Sequence, residues 1–204
     1  MRRVVEEFGI KYVFHFTQAE NLKSIFKHGI IPVSDHQERG IEAKKNDLFR
    51  LDFCEGATSL SITFPNYKLF YRFRMNDKTI DWAVLALEPR LLWEKQCVFC
   101  IDNAANSNVS QQTLRERMGE GAFRQMFAEF PGKPPRSVLG ISNNCPTNPQ
   151  AEILVFGPIE PQYIFAVCFE DKPTLDRYKD CIPSSIETEA VKGLFDARKD
   201  YMHW

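Results

Sequence analysis

The order of the short apolar runs restricts the fold of this chain more than any other feature. β-Prone stretches fall at 12–16 (YVFHF), 58–64 (TSLSITF), 81–88 (DWAVLALE), 96–100 (QCVFC), 151–157 (AEILVFG) and 163–169 (YIFAVCF). Helical spacing separates only some of them. Leu22, Ile25 and Phe26 follow the first stretch; Thr17-Gln18-Ala19-Glu20 fits a capping box at that helix's start, and Gly29 suits its stop. Tyr67, Phe70, Tyr71 and Arg74 fall at i, i+3, i+4 and i+7 behind Pro65, which suits a first helical position. Residues from about 110 to 130 read as a helix interrupted near Gly119 and Gly121, and further helices are expected around 173–180 and 185–203. Strands and crossover helices therefore do not alternate regularly, which argues against a doubly wound parallel sheet and predicts an α+β fold. Residues 32–56 and 131–149 read as long loops, and connections of that length usually carry function or move.

Composition narrows the classes further. The 204 residues, 44% hydrophobic and 26% charged, suit one domain spanning 1–204 with a real core. No apolar run reaches about 18 residues, so no membrane span is expected. Glu6 and Glu7 sit where a signal peptide needs apolar residues, so a cytoplasmic protein is expected. A net charge of -1 excludes a uniformly basic nucleic-acid coat but leaves room for a local basic groove. The six cysteines read as reduced, mostly buried thiols. Cys97-x-x-Cys100 lies in a strand and no second pair with ligand spacing follows, so no metal site is expected. Neither GxGxxG nor GxxxxGK[ST] occurs, so a nucleotide would have to be held in another way.

Four groups of residues have chemistry in reach. His15 and Thr17, at the end of the first strand, read either as a core-edge histidine beside a helix cap or as a pair gripping a polar ligand such as a ribose or carboxamide. Arg50, flanked by Phe49, Leu51 and Phe53, reads either as solvated or as a guanidinium aimed at phosphate or developing negative charge. Glu152 opens the apolar run Ile153-Leu154-Val155-Phe156; a carboxylate there is either ion-paired or poised for work. Gln150 would share its face if the chain is extended. Lys68, Arg72 and Arg74, interleaved with aromatic residues, read as the solvent side of an amphipathic helix or as a strip for phosphates and bases.

Three segments taken together, HFTQAENLKSIFKHGIIP, NDLFRLD…ATSLSITFPNYKLFYRFR and NPQAEILVFGPIEPQYI, resemble the DarT-type DNA ADP-ribosyltransferases, the toxins of DarTG toxin–antitoxin systems. The likeness runs in the same order from residue 11 to about 165. It implies an ADP-ribosyltransferase-like fold, two small packed β-sheets around an NAD cleft with peripheral helices. It also implies transfer of ADP-ribose from NAD to a base of single-stranded DNA, and a partner antitoxin with ADP-ribosyl-hydrolase activity. By the resemblance Glu152 and Arg50 are catalytic, and residues 131–150 form a substrate-facing loop. The NAD-holding set is expected to be His15, Phe16, Thr17, Asn21, Arg50, Ser59 and Tyr71, and the DNA-binding set Asn148, Gln150, Lys68, Arg72 and Arg74.

Thymine-modifying members carry a Pro-Phe/Tyr stretch leading to Ser-Pro-Met after the second strand. Here that place holds FPNYKLFYRFR, so the sequence looks closer to a guanine-modifying branch. Two other readings use the same residues: an ADP-ribosyltransferase acting on RNA or protein, and a non-catalytic single-stranded nucleic-acid-binding domain.

Overall fold

The computed structural model describes residues 1–41, 44, 54 and 56–204. Helix α1 (Arg2–Glu7) leads into β1 (Val13–Gln18), and a 3-10 turn joins β1 to α2 (Leu22–His28). Then come β2 (Ala57–Ile62), α3 (Tyr67–Asn76), β3 (Trp82–Leu87), α4 (Leu91–Glu94) and β4 (Cys97–Cys100). Three short helices, α5 (Ser107–Ser110), α6 (Gly119–Gln125) and α7 (Arg136–Leu139), precede β5 (Glu152–Phe156). The chain continues through β6 (Ile164–Phe169), α8 (Lys172–Tyr178) and β7 (Glu187–Ala190).

The strands form a ladder in the order β4-β5-β2-β1-β3-β6-β7. It has two halves, β4-β5-β2 and β1-β3-β6-β7, joined by two residue pairs, Val13 with Ile62 and Phe14 with Ser61. The resemblance implied two small packed sheets; here the two halves run into one seven-stranded ladder that parts between β1 and β2. Pairing is antiparallel except between β6 and β7, where α8 supplies the crossover.

β3 explains how both faces are covered. All six of its residues are buried. Ala83, Leu85 and Leu87 face one cluster with Val13, Leu22, Ile25 and Phe123. Trp82, Val84 and Ala86 face the other with Phe14, Phe70 and Phe195. A strand alternates its side chains, so one buried on both sides reads as continuously apolar. Phe70, 1% exposed, pins α3 to that second cluster through ring contacts with Phe16, Trp82 and Phe195. Burying one such side chain contributes about 2–3 kcal/mol.

Three local expectations are corrected. Thr17 does not cap α2: it lies inside β1, 3% exposed, and its hydroxyl accepts from Asn21 Nδ2 at 3.0 Å. Pro65 is not the first helical residue, because α3 starts at Tyr67 behind Asn66, whose side chain accepts from Leu69 N. The expected C-terminal helix at 185–203 is the exposed edge strand β7 with 3-10 turns at Lys192–Leu194 and Tyr201–His203. β7 buries no residue of its own, so no apolar period marked it; backbone pairing to β6 holds it.

Gly29 does end α2, with φ 89°. There the chain turns to pair Ile30 with Ile159, and a Cβ at Gly29 would lie 2.4 Å from the Ile159 carbonyl oxygen. Gly9 also has positive φ, 64°, but open space around it. Gly29→Ala is therefore expected to lower unfolding free energy well beyond the roughly 1 kcal/mol that the backbone conformation alone costs at Gly9→Ala. Chemical denaturation of both variants checks this; equal losses would remove the close approach as a constraint.

Candidate functional site

A cleft opens where the two halves of the sheet part. Beyond Phe14 and Ser61, β1 keeps its pairing to β3 as far as Gln18, and β2 keeps its pairing to β5 as far as Ala57. The inner edges of His15–Gln18 and Ala57–Leu60 have no ladder with each other, which leaves their polar groups able to meet a ligand. Phe14, His15, Phe16, Thr17, Ser59 and Glu152 all line this cleft. About 190 Å³ of it is open to water.

His15 spans the parting strands. Its Nδ1 lies 3.1 Å from the Ser59 carbonyl oxygen, an acceptor only, so Nδ1 carries the proton. Burial holds this imidazole below its ordinary range, against the opposing pull of the Ser59 bond. The ring is thus neutral near pH 7, and its Nε2 is an acceptor suited to a hydroxyl. Asn21 fixes the next turn: Nδ2 donates to the Thr17 hydroxyl and to the Lys44 carbonyl, and Oδ1 accepts from Lys44 N.

Glu152 begins β5 and is 4% exposed. Its Oε1 accepts from Asn103 Nδ2 at 2.8 Å and from Asn66 Nδ2 at 3.2 Å; Ala104 N lies 3.4 Å from Oε2. Across the ladder, Glu152 faces Cys100, whose thiol burial pushes up to about 11. Burial likewise pushes Cys97 up to about 12, so both thiols of this CxxC stay protonated near neutral pH. Among the described residues, no group of three or more His, Cys, Asp or Glu is placed to hold a metal ion. Among them too, no helix is long and apolar enough to cross a membrane.

The profile of one protein family, described as "ssDNA thymidine ADP-ribosyltransferase, DarT", matches residues 61–197, more than half of the chain. The chain belongs to the DarT family. Its fold is similar to that of Thermosipho africanus DarTG in complex with ADP-ribose, with TM-score 0.66 and 18% identity over 91% of this chain and 51% of that one. This chain therefore spans about half the length of that DarTG chain. Thermus sp. 2.9 DarT in complex with carba-NAD+ superposes with TM-score 0.60 and 11% identity, covering 91% of this chain and 98% of that one. The same Thermus protein in complex with ADP-ribosylated ssDNA gives TM-score 0.50 and 13% identity, over 92% and 97%. At these identities the likeness shows the fold. No match to a curated protein was found.

The structure brings His15, Phe16, Thr17, Asn21, Ser59 and Glu152 to one cleft. Arg50 lies outside the described residues. Tyr71 does not reach the cleft: it is 58% exposed on the outer side of α3, whereas Asn66, Leu69 and Phe73 from the same segment line the cleft wall. Arg74 is held within the protein, tied to Glu170 at 2.9 Å and the Phe195 carbonyl at 2.6 Å. Lys68 is half-buried and Arg72 exposed. Asn148 is 2% exposed, and its side chain accepts from Gln150 N. That turn, closed by Ala151 N to the Asn148 carbonyl, breaks the alternation expected of an extended chain. Gln150 therefore does not line the cleft beside Glu152.

The loop before β5 is also braced. Arg198, 6% exposed and paired with Asp200, donates to the Pro146 and Thr147 carbonyls at 2.7 Å. Arg136 donates to the Cys145 carbonyl and the Thr147 hydroxyl. Sequence reasoning missed Asn66 and Asn103. The signal was present for Asn66, a cap-forming residue between a strand stop and a helical period, but nothing local linked it to a carboxylate 86 positions away.

The neutral His15 has a measurable consequence. An unfolded imidazole binds a proton near pH 6.5, and the folded ring does so only at lower pH. The stability it carries is complete above about pH 6.5 and is lost as pH falls below that value. Denaturation between about pH 8 and pH 5 should show a shallower acid loss in His15→Gln than in the wild type. Parallel slopes would mean that the half-buried ring does not govern this window.

Proposed function

We propose that the chain transfers ADP-ribose from NAD to a base of single-stranded DNA, releasing nicotinamide. The observation that carries this reading is one buried carboxylate, Glu152, sharing a cleft with His15, Thr17 and Ser59 in a member of the DarT family. Among its fold neighbours, Thermus DarT binds carba-NAD+ and is also seen with ADP-ribosylated ssDNA. In this reading His15 Nε2 and the Thr17 and Ser59 hydroxyls hold the polar parts of NAD, and Phe14 and Phe16 supply apolar wall. Arg50 is proposed to stabilise negative charge on the pyrophosphate or on the acceptor base.

Breaking the nicotinamide–ribose bond sends its electron pair to the departing nicotinamide and leaves positive charge at the ribose C1′. A preorganised carboxylate beside that centre lowers the barrier, as in glycoside cleavage. The base nitrogen then bonds to C1′, and Glu152 takes the proton it sheds. Glu152→Ala is expected to cut labelling of DNA by at least about 100-fold while NAD binding stays within a few-fold, because the lost interaction is made in the transition state. Mass analysis of single-stranded DNA with NAD checks it; wild-type labelling by Glu152→Ala would contradict the mechanism.

The outer face of α3 is proposed as the DNA track. Lys68, Tyr71 and Arg72 fall there at i, i+3 and i+4, beside the wall formed by Asn66, Leu69 and Phe73. Cations meet phosphates and Tyr71 offers a ring for stacking. Gln150, two residues before Glu152, is proposed to meet the acceptor base. Lys68→Ala and Arg72→Ala should each reduce the salt dependence of single-strand binding by about 0.7 in log–log slope. An unchanged slope would remove α3 from the interface.

Guanine is proposed as the acceptor over the thymidine named in the family description, on the FPNYKLFYRFR departure at 64–74. Oligonucleotides each lacking one base type distinguish the two. Labelling that survives without guanine and vanishes without thymine would overturn the choice; labelling confined to RNA or protein would move the activity to another acceptor. A toxic role in the cytoplasm, countered by an antitoxin that removes ADP-ribose, is part of the same proposal. The pairing in the name DarTG of the Thermosipho neighbour supports it.

A further inference from the structure

Two asparagines divide their amide groups in the same way. Asn66 Oδ1 accepts from Leu69 N and caps α3, while its Nδ2 donates to Glu152 Oε1 at 3.2 Å. Asn103 Oδ1 accepts from Ala105 N and closes a turn after β4, while its Nδ2 donates to the same Oε1 at 2.8 Å. Each carbonyl oxygen is committed to a local backbone N–H, so neither amide can flip without losing that bond. Both donors are therefore pinned toward one oxygen of one carboxylate, from two segments 37 residues apart in sequence. Asn66 is 1% exposed, and its own N donates to Ser61 Oγ, which ties the clamp to β2 at the point where the sheet parts.

We propose that Asn66 and Asn103 are positioning residues, a two-amide clamp that fixes the plane and rotation of the Glu152 carboxylate in the cleft. Neither is assigned contact with substrate. A carboxylate at the start of a strand has three side-chain torsions to fix. A misplacement of about 1 Å at a reacting centre costs on the order of 100-fold in rate. Two donors converging on Oε1 from two separate segments remove that freedom before substrate arrives. The inference rests on the catalytic reading of Glu152 for its kinetic consequence, and on geometry alone for the clamp itself.

Replacing either asparagine by aspartate changes one atom group selectively. Asn66→Asp keeps the helix cap and Asn103→Asp keeps the turn, but each turns the donor facing Glu152 into an acceptor oxygen. The test pairs two readouts on the full chain. In denaturation, Asn103→Asp should destabilise the wild type and do so far less in a Glu152→Gln background, where an amide again meets an oxygen. In nicotinamide release with NAD and single-stranded DNA, Asn103→Asp and Asn66→Asp should lower kcat by about 10- to 100-fold with NAD affinity held within about threefold. Additive stability losses would overturn the clamp. Coupled stability with unchanged kcat in an active protein would overturn its positioning role. A wild type that releases no nicotinamide with any acceptor would instead sink the proposed function, and the stability cycle would still decide the clamp.

Discussion

The parting of β1 from β2 after two residue pairs is the constraint on which the site depends. Each strand is held on its outer side, β1 by β3 and β2 by β5, so neither can move to close the gap. A strand edge left without its ladder is costly unless its polar groups find partners. One is met inside the protein: the His15 ring reaches across to the Ser59 carbonyl. That single contact sets the tautomer of His15 and ties the two lips of the cleft together.

Glu152 is the counterpart of His15 on the other half of the sheet. Its location follows from β5 pairing with β2 on one side and β4 on the other, which carries the first residue of the strand to the back of the cleft. Burying a carboxylate is unfavourable unless donors meet it; among the described residues, Asn66, Asn103 and the Ala104 amide do so. The entry to β5 is equally constrained. Arg198 and Arg136 reach back to carbonyls of residues 142–147, so the loop in front of Glu152 is anchored by the C-terminal tail and by α7.

The elements that bury apolar residues were legible in the sequence, because their period is a record of burial. β1, β2, β3, β5 and β6 announce themselves this way, and the glycine at 29 marks the stop of α2. β7 did not, since its stability comes from backbone pairing to β6 and from no side chain. The cleft residues His15, Thr17, Ser59 and Glu152 were found by residue type and resemblance; the side of α3 on which Tyr71 and Arg74 fall was not. That side is decided by Phe70, which rotates the helix so that Tyr71 faces outward and Arg74 stacks on Phe70 and Phe195. Asn66 and Asn103 were invisible because their partner is distant in sequence, and a cap or turn asparagine looks the same whether or not its amide has a second task.

The decisive measurement is a crystal structure of Glu152→Gln soaked with NAD. The dinucleotide is expected between β1 and β2, with a hydroxyl on His15 Nε2 and the nicotinamide ribose beside residue 152. Well-occupied NAD bound elsewhere, with the space between His15–Gln18 and Ala57–Leu60 filled only by solvent, would contradict it.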